Sequence, residues 1–245
     1  MKLKVIACDV LYREVCQACA ETKHATDVVF VPFGLHSTPA QLRERLQQEI
    51  DAADSQEYDA VVLAYGLCSR GTAELEARSK QLVLPKAHDC ITLLLGSRER
   101  YDQEFTGNPG TYYYSAGWVE RKNGDVRQGY ITLQEETDRE TRFREYVGKY
   151  GEDNAQYLMD QEALWMSHYT RAAFIDVGLG DIERYREFTN TLAKERGWQY
   201  AELPGDRRLI DKLIYGEWDT DFLVVKPGER IVEAFSAEVV KSSRG

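Results

Sequence analysis

The 245-residue chain reads as an α/β fold, Rossmann-like, with mainly parallel sheet flanked by helices and two α/β lobes around a helical middle. Three observations predict it. Leu3 to Ala7, Val28 to Val31, Ala60 to Ala64 and Leu82 to Leu84 are short continuous apolar runs, the pattern of parallel strands covered on both faces. Helical periodicity fills the gaps between the first three. The alternation returns later, with strand-like runs at Ala172 to Val177, Trp198 to Glu202 and Phe222 to Val225, and helical patterns from Asp181 to Arg196 and Arg207 to Tyr215 between them.

The clearest helix follows the second run. Ser37-Thr38-Pro39 supplies a cap and a first-turn proline, and Leu42, Leu46, Ile50 and Ala53 then recur at helical spacing. Thr106 to Gly129 changes character: Gly107-Asn108-Pro109-Gly110 is turn chemistry, Tyr112-Tyr113-Tyr114 is aromatic, and Lys122-Asn123-Gly124-Asp125 is a polar turn, together a lid or a hairpin. Thr132 to Met166 is highly charged and helical, with a break at Gly148 or Gly151. The division this suggests is an N-terminal α/β lobe over 1–130 and a helical segment with a second α/β lobe over 131–245, or one compact unit.

Composition narrows the function. With 41 acidic against 31 basic residues the net charge is −10, unlike the concentrated Lys and Arg that track phosphates, so nucleic acid is not expected as a partner. The longest apolar runs are about five residues, far below the roughly 20 that cross a bilayer, and Asp9 interrupts the N-terminus where a signal peptide needs an apolar centre. The expected setting is the cytoplasm, without a membrane. There, five cysteines point to reduced thiols.

Three of those thiols fall just past predicted strands. Cys8 follows the first run, Cys68 follows the third within Tyr65-Gly66-Leu67-Cys68-Ser69-Arg70-Gly71, and His88 and Cys90 follow the fourth. In parallel neighbouring strands all four converge on one sheet edge, where ligands of open α/β sheets bind. Cys8, Cys68, His88 and Cys90 form a candidate metal set for zinc, or for iron or an iron–sulfur cluster as alternatives. The competing readings are buried core thiols or one nucleophilic cysteine. Cys16-Gln17-Ala18-Cys19 lies inside the first helical pattern with no second CxxC to complete a site, so it reads as helix packing. His24 reads as solvated and His168 as packed. His36 follows the second strand and faces the same edge, a candidate for lining the site. The Gly66 to Gly71 turn either cradles an anion, with Arg70 as its cation, or simply turns the chain. The tyrosine run with Trp118 either stacks on a flat cofactor or fills the core.

Several of these segments resemble a bacterial and archaeal family, the domain-of-unknown-function family numbered 1638. The resemblance is carried by Ala7-Cys8-Asp9, Gly34-Leu35-His36-Ser37-Thr38-Pro39, Tyr65-Gly66-Leu67-Cys68, Pro85-Lys86-Ala87-His88-Asp89-Cys90, Pro109-Gly110-Thr111-Tyr112-Tyr113 and Gly117-Trp118, most of residues 5 to 120. It implies a place beside corrinoid-dependent methyl-transfer systems. His88-x-Cys90 with a distant Cys68 or Cys8 is also similar to the zinc pattern of corrinoid-linked proteins that methylate a thiol.

The expected function is therefore a metal-dependent enzyme. A thiolate-rich site suits activation of a thiol for methyl or alkyl transfer, because a coordinating thiol is deprotonated outright. On that reading Lys86 or Arg70 positions an anionic group and Tyr113 or Trp118 closes the site, while Asp89 orients a ligand. The partner is a small-molecule substrate or a corrinoid protein. Two other classes stay open: an accessory protein that holds a metal, iron–sulfur cluster or corrinoid for a partner enzyme, and a cysteine-nucleophile hydrolase.

Overall fold

A computed structural model of the chain describes residues 1–121, 136–234 and 239–244. Strand β1 (Lys2–Cys8) passes through a 3-10 turn at Asp9–Leu11 into helix α1 (Tyr12–Glu21), and β2 (Ala25–Val31) through a second 3-10 turn into α2 (Pro39–Asp54). Then come β3 (Ala60–Ala64), β4 (Gln81–Pro85), α3 (Cys90–Leu95) and α4 (Arg98–Gly107). A second group follows: β5 (Thr111–Tyr114), α5 (Ala116–Arg121), α6 (Glu136–Tyr150), α7 (Glu152–Met166), β6 (Arg171–Asp176), α8 (Ile182–Arg196) and β7 (Gln199–Pro204). The chain closes with α9 (Arg208–Tyr215), β8 (Phe222–Val225), β9 (Glu229–Glu233) and β10 (Val240–Arg244).

The central sheet has the order β2-β1-β3-β4-β8, parallel except for the antiparallel β8 at one edge. This is the mainly parallel, helix-flanked α/β sheet that the apolar runs predict, and β3 is buried at all five positions. β2 and β3 lie on opposite sides of β1, so right-handed crossovers put α1 and α2 on opposite faces. α2 buries Leu42, Leu46, Ile50 and Ala53, the stripe its spacing announces. α9 buries Leu209, Ile210, Leu213 and Ile214, and packs on α1, β3 and β4.

A second, three-stranded parallel sheet has the order β5-β6-β7, and β9 and β10 form an antiparallel pair. The sheets interleave along the sequence: β5 joins strands from beyond residue 170, and β8 returns to β4. Among the described residues no helix is long and apolar enough to cross a membrane.

The region expected as a lid or hairpin is instead a parallel strand and a helix. Gly110 makes this possible: at φ +74° it takes a conformation few side chains tolerate, and an added Cβ would stand 2.6 Å from the His168 carbonyl oxygen. Its own carbonyl accepts the Thr170 N–H at 2.9 Å, setting β5 beside β6. The expected turn at Lys122 to Asp125 lies outside the described residues. Between α6 and α7 the break falls at Gly151, at φ +82°, and Gly148 continues the helix.

Candidate functional site

The strand order of the central sheet reverses direction at β1, which makes the C-terminal ends of β1 and β3 the position where open α/β sheets usually form a ligand crevice. Cys8 is the last residue of β1 and Cys68 lies four residues beyond β3, on the two sides of that crevice. Cys90 is the first residue of α3, beyond β4. All five cysteines are free thiols.

Two backbone contacts bring the Cys68 loop to the Cys90 loop. The Leu67 N–H donates to Ala87 O at 2.8 Å and the Cys68 N–H to His88 O at 2.9 Å, extending the β3–β4 pairing past the strand ends. Gly66 permits the approach, because a Cβ there would lie 2.5 Å from the Asp89 nitrogen and 2.7 Å from its Cα. The space above Gly66 is thus filled by the His88–Asp89 backbone. The chain then enters a left-handed turn, with Cys68, Ser69 and Arg70 at φ 47°, 54° and 71°. Successive non-glycine residues there are strained, a condition that gathers at functional sites. On the other side α5 rests on the Cys8 turn, where a Cβ on Gly117 would meet the Val10 carbonyl oxygen at 1.8 Å.

The thiols act on one another. Cys8 and Cys68 each raise the Cys90 thiol, and Cys68 raises Cys8. The leading cause is burial, which pushes Cys68 up to about 12 and Cys8 and Cys90 further still. The neighbouring Val10 and Gly66 backbone works the other way on Cys8 and Cys68. Donors aimed at sulfur favour thiolate character and tune metal-bound thiolates. Cys8 is buried, whereas Cys68 and Cys90 keep partial exposure. Among the described residues no three His, Cys, Asp or Glu side chains stand as a ready-made metal-holding group.

Around the thiols stand residues with supporting roles. Asp89 caps α3, its Oδ1 accepting from Ile91 N–H at 3.0 Å and Thr92 N–H at 3.1 Å. Its Oδ2 accepts from the Tyr101 hydroxyl at 3.4 Å. Burial raises its carboxyl above the usual range. Tyr112 lies within electrostatic reach of Cys90, and Tyr113 within reach of Asp89. Tyr65, Tyr101 and Tyr112 were not singled out as individual site residues by the sequence. Tyr65 sits directly after the C-terminal end of β3, which is the signal that finds it.

The other sequence candidates are placed as follows. His88 is exposed, its ring stacked on Tyr101 at 5.6 Å. Arg70 points outward to Glu233, Nε to Oε2 at 3.1 Å. Lys86 donates its N–H to Asp221 O at 2.8 Å, on the β8 side of β4. Trp118 packs edge-on against Tyr114 at 4.7 Å and Tyr112 at 5.9 Å, inside the aromatic core of the second sheet. The His36 side chain is outside the described residues. Cys16 and Cys19 lie on α1, where Cys19 meets Thr26.

Residues 30–214 match the family described as protein of unknown function, DUF1638. The chain belongs to the DUF1638 family. The DUF1638 match takes in Cys68, Asp89, Cys90 and the second sheet, and begins after Cys8. No curated protein and no solved structure matches the chain.

Proposed function

We propose that this DUF1638 protein binds a metal ion through Cys8, Cys68 and Cys90 and uses it to activate a thiol for methyl or alkyl transfer. The observation that supports the reading is that Cys8, Cys68 and Cys90 all lie at or just past the C-terminal ends of the neighbouring parallel strands β1, β3 and β4 and act on one another electrostatically. Zinc fits three sulfur ligands with a fourth position open; iron, or an iron–sulfur cluster, is the alternative. With the His88 ring on the surface, the protein supplies three thiols and an incoming thiol the fourth. A bound metal's charge would offset the burial that keeps the thiols protonated. That same burial works against a free thiolate nucleophile and so against the hydrolase class.

One observation favours an accessory role, in which the protein carries a metal or corrinoid to a partner. His88, Tyr101 and Phe105 form a row of stacked rings beside Asp89, and Phe105 is 62% exposed. Such a row suits a flat ligand or a docking partner.

Metal analysis and visible absorption of anaerobically purified protein test the proposal. Wild type and Cys16→Ser are expected to carry one metal site per chain, and Cys68→Ser and Cys90→Ser to lose it. Wild-type protein that holds no stoichiometric metal, cluster or corrinoid, even after reconstitution, overturns it.

A further inference from the structure

Helix α1 carries an acid on its apolar stripe. Leu11, Val15 and Ala18 face the core beside it, and Glu14 among them is 0% exposed. Neither of its carboxyl oxygens has a hydrogen-bond partner among the described residues. Three charged groups face it. Arg13, on its own helix, is committed to Glu120 of α5, Nε to Oε2 at 2.9 Å, and Glu120 also accepts from the Tyr185 hydroxyl at 2.5 Å. Glu120 itself acts on Glu14 as a like charge. The third is Arg207, the N-cap residue of α9, the helix packed on α1. Its Nη2 reaches Glu21 Oε2 at 3.2 Å and Asp211 Oδ2 at 3.7 Å, but its Nη1 is buried with no partner. Asp211 Oδ1 is likewise buried and unpartnered. Asp9, in the turn before α1, is held elsewhere, accepting the Phe33 N–H at 2.8 Å.

We propose that Glu14 is a buried proton-binding site that switches the contact between α1 and α9. Protonated, it lies unpaired beside Arg207. Ionised, it takes the orphan Nη1 of Arg207 and draws that guanidinium from Glu21 and Asp211. Glu14 and Arg207 Nη1 are orphan buried groups on two packed helices, and Arg207 acts on Glu14 as an opposite charge, so ionisation strengthens the pull between them. α1 begins directly after the Asp9–Leu11 turn that follows Cys8, so the switch acts on the helix next to that turn. It operates whether or not the thiols hold metal.

Burial is the main cause that raises Glu14, to about 7 from an ordinary 4.5, with Arg13 and Arg207 pulling it partly back. Below 4.5 the group is protonated both folded and unfolded and has no effect on stability. Between 4.5 and about 7 the unfolded chain releases its proton first, so stability falls as pH rises. Above that range the loss is constant, at roughly 300-fold in the folding constant.

Thermal unfolding from pH 4.5 to 8, for wild type and Glu14→Gln, reads this directly. The amide is isosteric and stays neutral, so the variant is expected to gain up to about 300-fold in relative folding constant over wild type as pH rises through this range. Arg207→Gln is expected to move the Glu14 midpoint upward. Amide exchange in α1, corrected for its intrinsic pH dependence, is expected to change between pH 6 and 8 in wild type and not in Glu14→Gln. Parallel profiles for the two proteins overturn the switch. Should Glu14→Gln fail to fold, the carboxyl carbon titration of wild type decides: a midpoint near 7 supports the switch and one near 4.5 overturns it.

Discussion

Replacing Gly66 by alanine puts a methyl group where the structure has backbone. The new Cβ would stand 2.5 Å from Asp89 N, 2.7 Å from Asp89 Cα and 2.8 Å from His88 C, and none of these is a flexible side-chain end that can swing aside. Relief requires the Cys68 loop to move from the Cys90 loop, which stretches the Leu67 and Cys68 N–H bonds to Ala87 and His88. Overpacking costs about 1–3 kcal/mol and each weakened hydrogen bond about 1 kcal/mol, while the stiffer unfolded chain returns about 0.5 kcal/mol. The net expectation is a loss of about 2.5–4.5 kcal/mol. At about 2–4 °C per kcal/mol for a chain of this size, the unfolding midpoint should fall by roughly 5–18 °C. Metal content should fall with it, since two of the three proposed ligands move apart. Gly148→Ala is the control: nothing lies within 4 Å of its Cβ and it sits inside a helix, so it should raise stability by about 0.5–1 kcal/mol. Thermal unfolding with metal analysis on both variants is the assay. A Gly66→Ala midpoint within about 2 °C of wild type, with metal retained, would refute the packing argument.

Two more expectations follow from the same loops. Ser69 is exposed at φ 54° between two other left-handed residues, so Ser69→Gly should relieve strain and stabilise by about 1 kcal/mol; an unchanged or lower unfolding midpoint counts against strain there. Asp89→Ala removes the acceptor for Ile91 and Thr92 N–H and should cost about 1–2 kcal/mol in chemical denaturation, with Asp89→Asn losing clearly less; equal losses would mean that the cap is not what Asp89 contributes.

The parallel strands at the site are legible because β3 is an unbroken apolar run and β1 and β4 carry the shorter runs Val5 to Cys8 and Leu82 to Leu84, a pattern that burial on both faces enforces. The expectation that Cys8, Cys68 and Cys90 gather at one edge rests on that pattern alone, since residues just beyond parallel neighbours share an edge. His88 did not follow. It lies two residues before Cys90, which suggests one face in an extended chain, but Asp89 caps a helix between them and Cys90 is already helical. β5 was hidden because its Tyr112-Tyr113-Tyr114 run sits between turn residues and its partner β6 lies far along the chain. β9 and β10 are hidden too, because their sequences are short, mostly polar and show no alternation, and they are held by each other and by the loop at Glu74 to Ala77 through Ile231 and Glu229.

The antiparallel strand at the sheet's edge has a bearing on the order of assembly. β1, β3 and β4, with all three thiols, are complete by residue 95, whereas β8, which covers the open side of β4, spans Phe222–Val225. A chain emerging from its N-terminus therefore builds the thiol crevice while one edge of its sheet still offers unpaired N–H and C=O groups. Until β8 docks, that edge offers the nascent protein a route to mispairing with a neighbour, and the docking of β8 closes it.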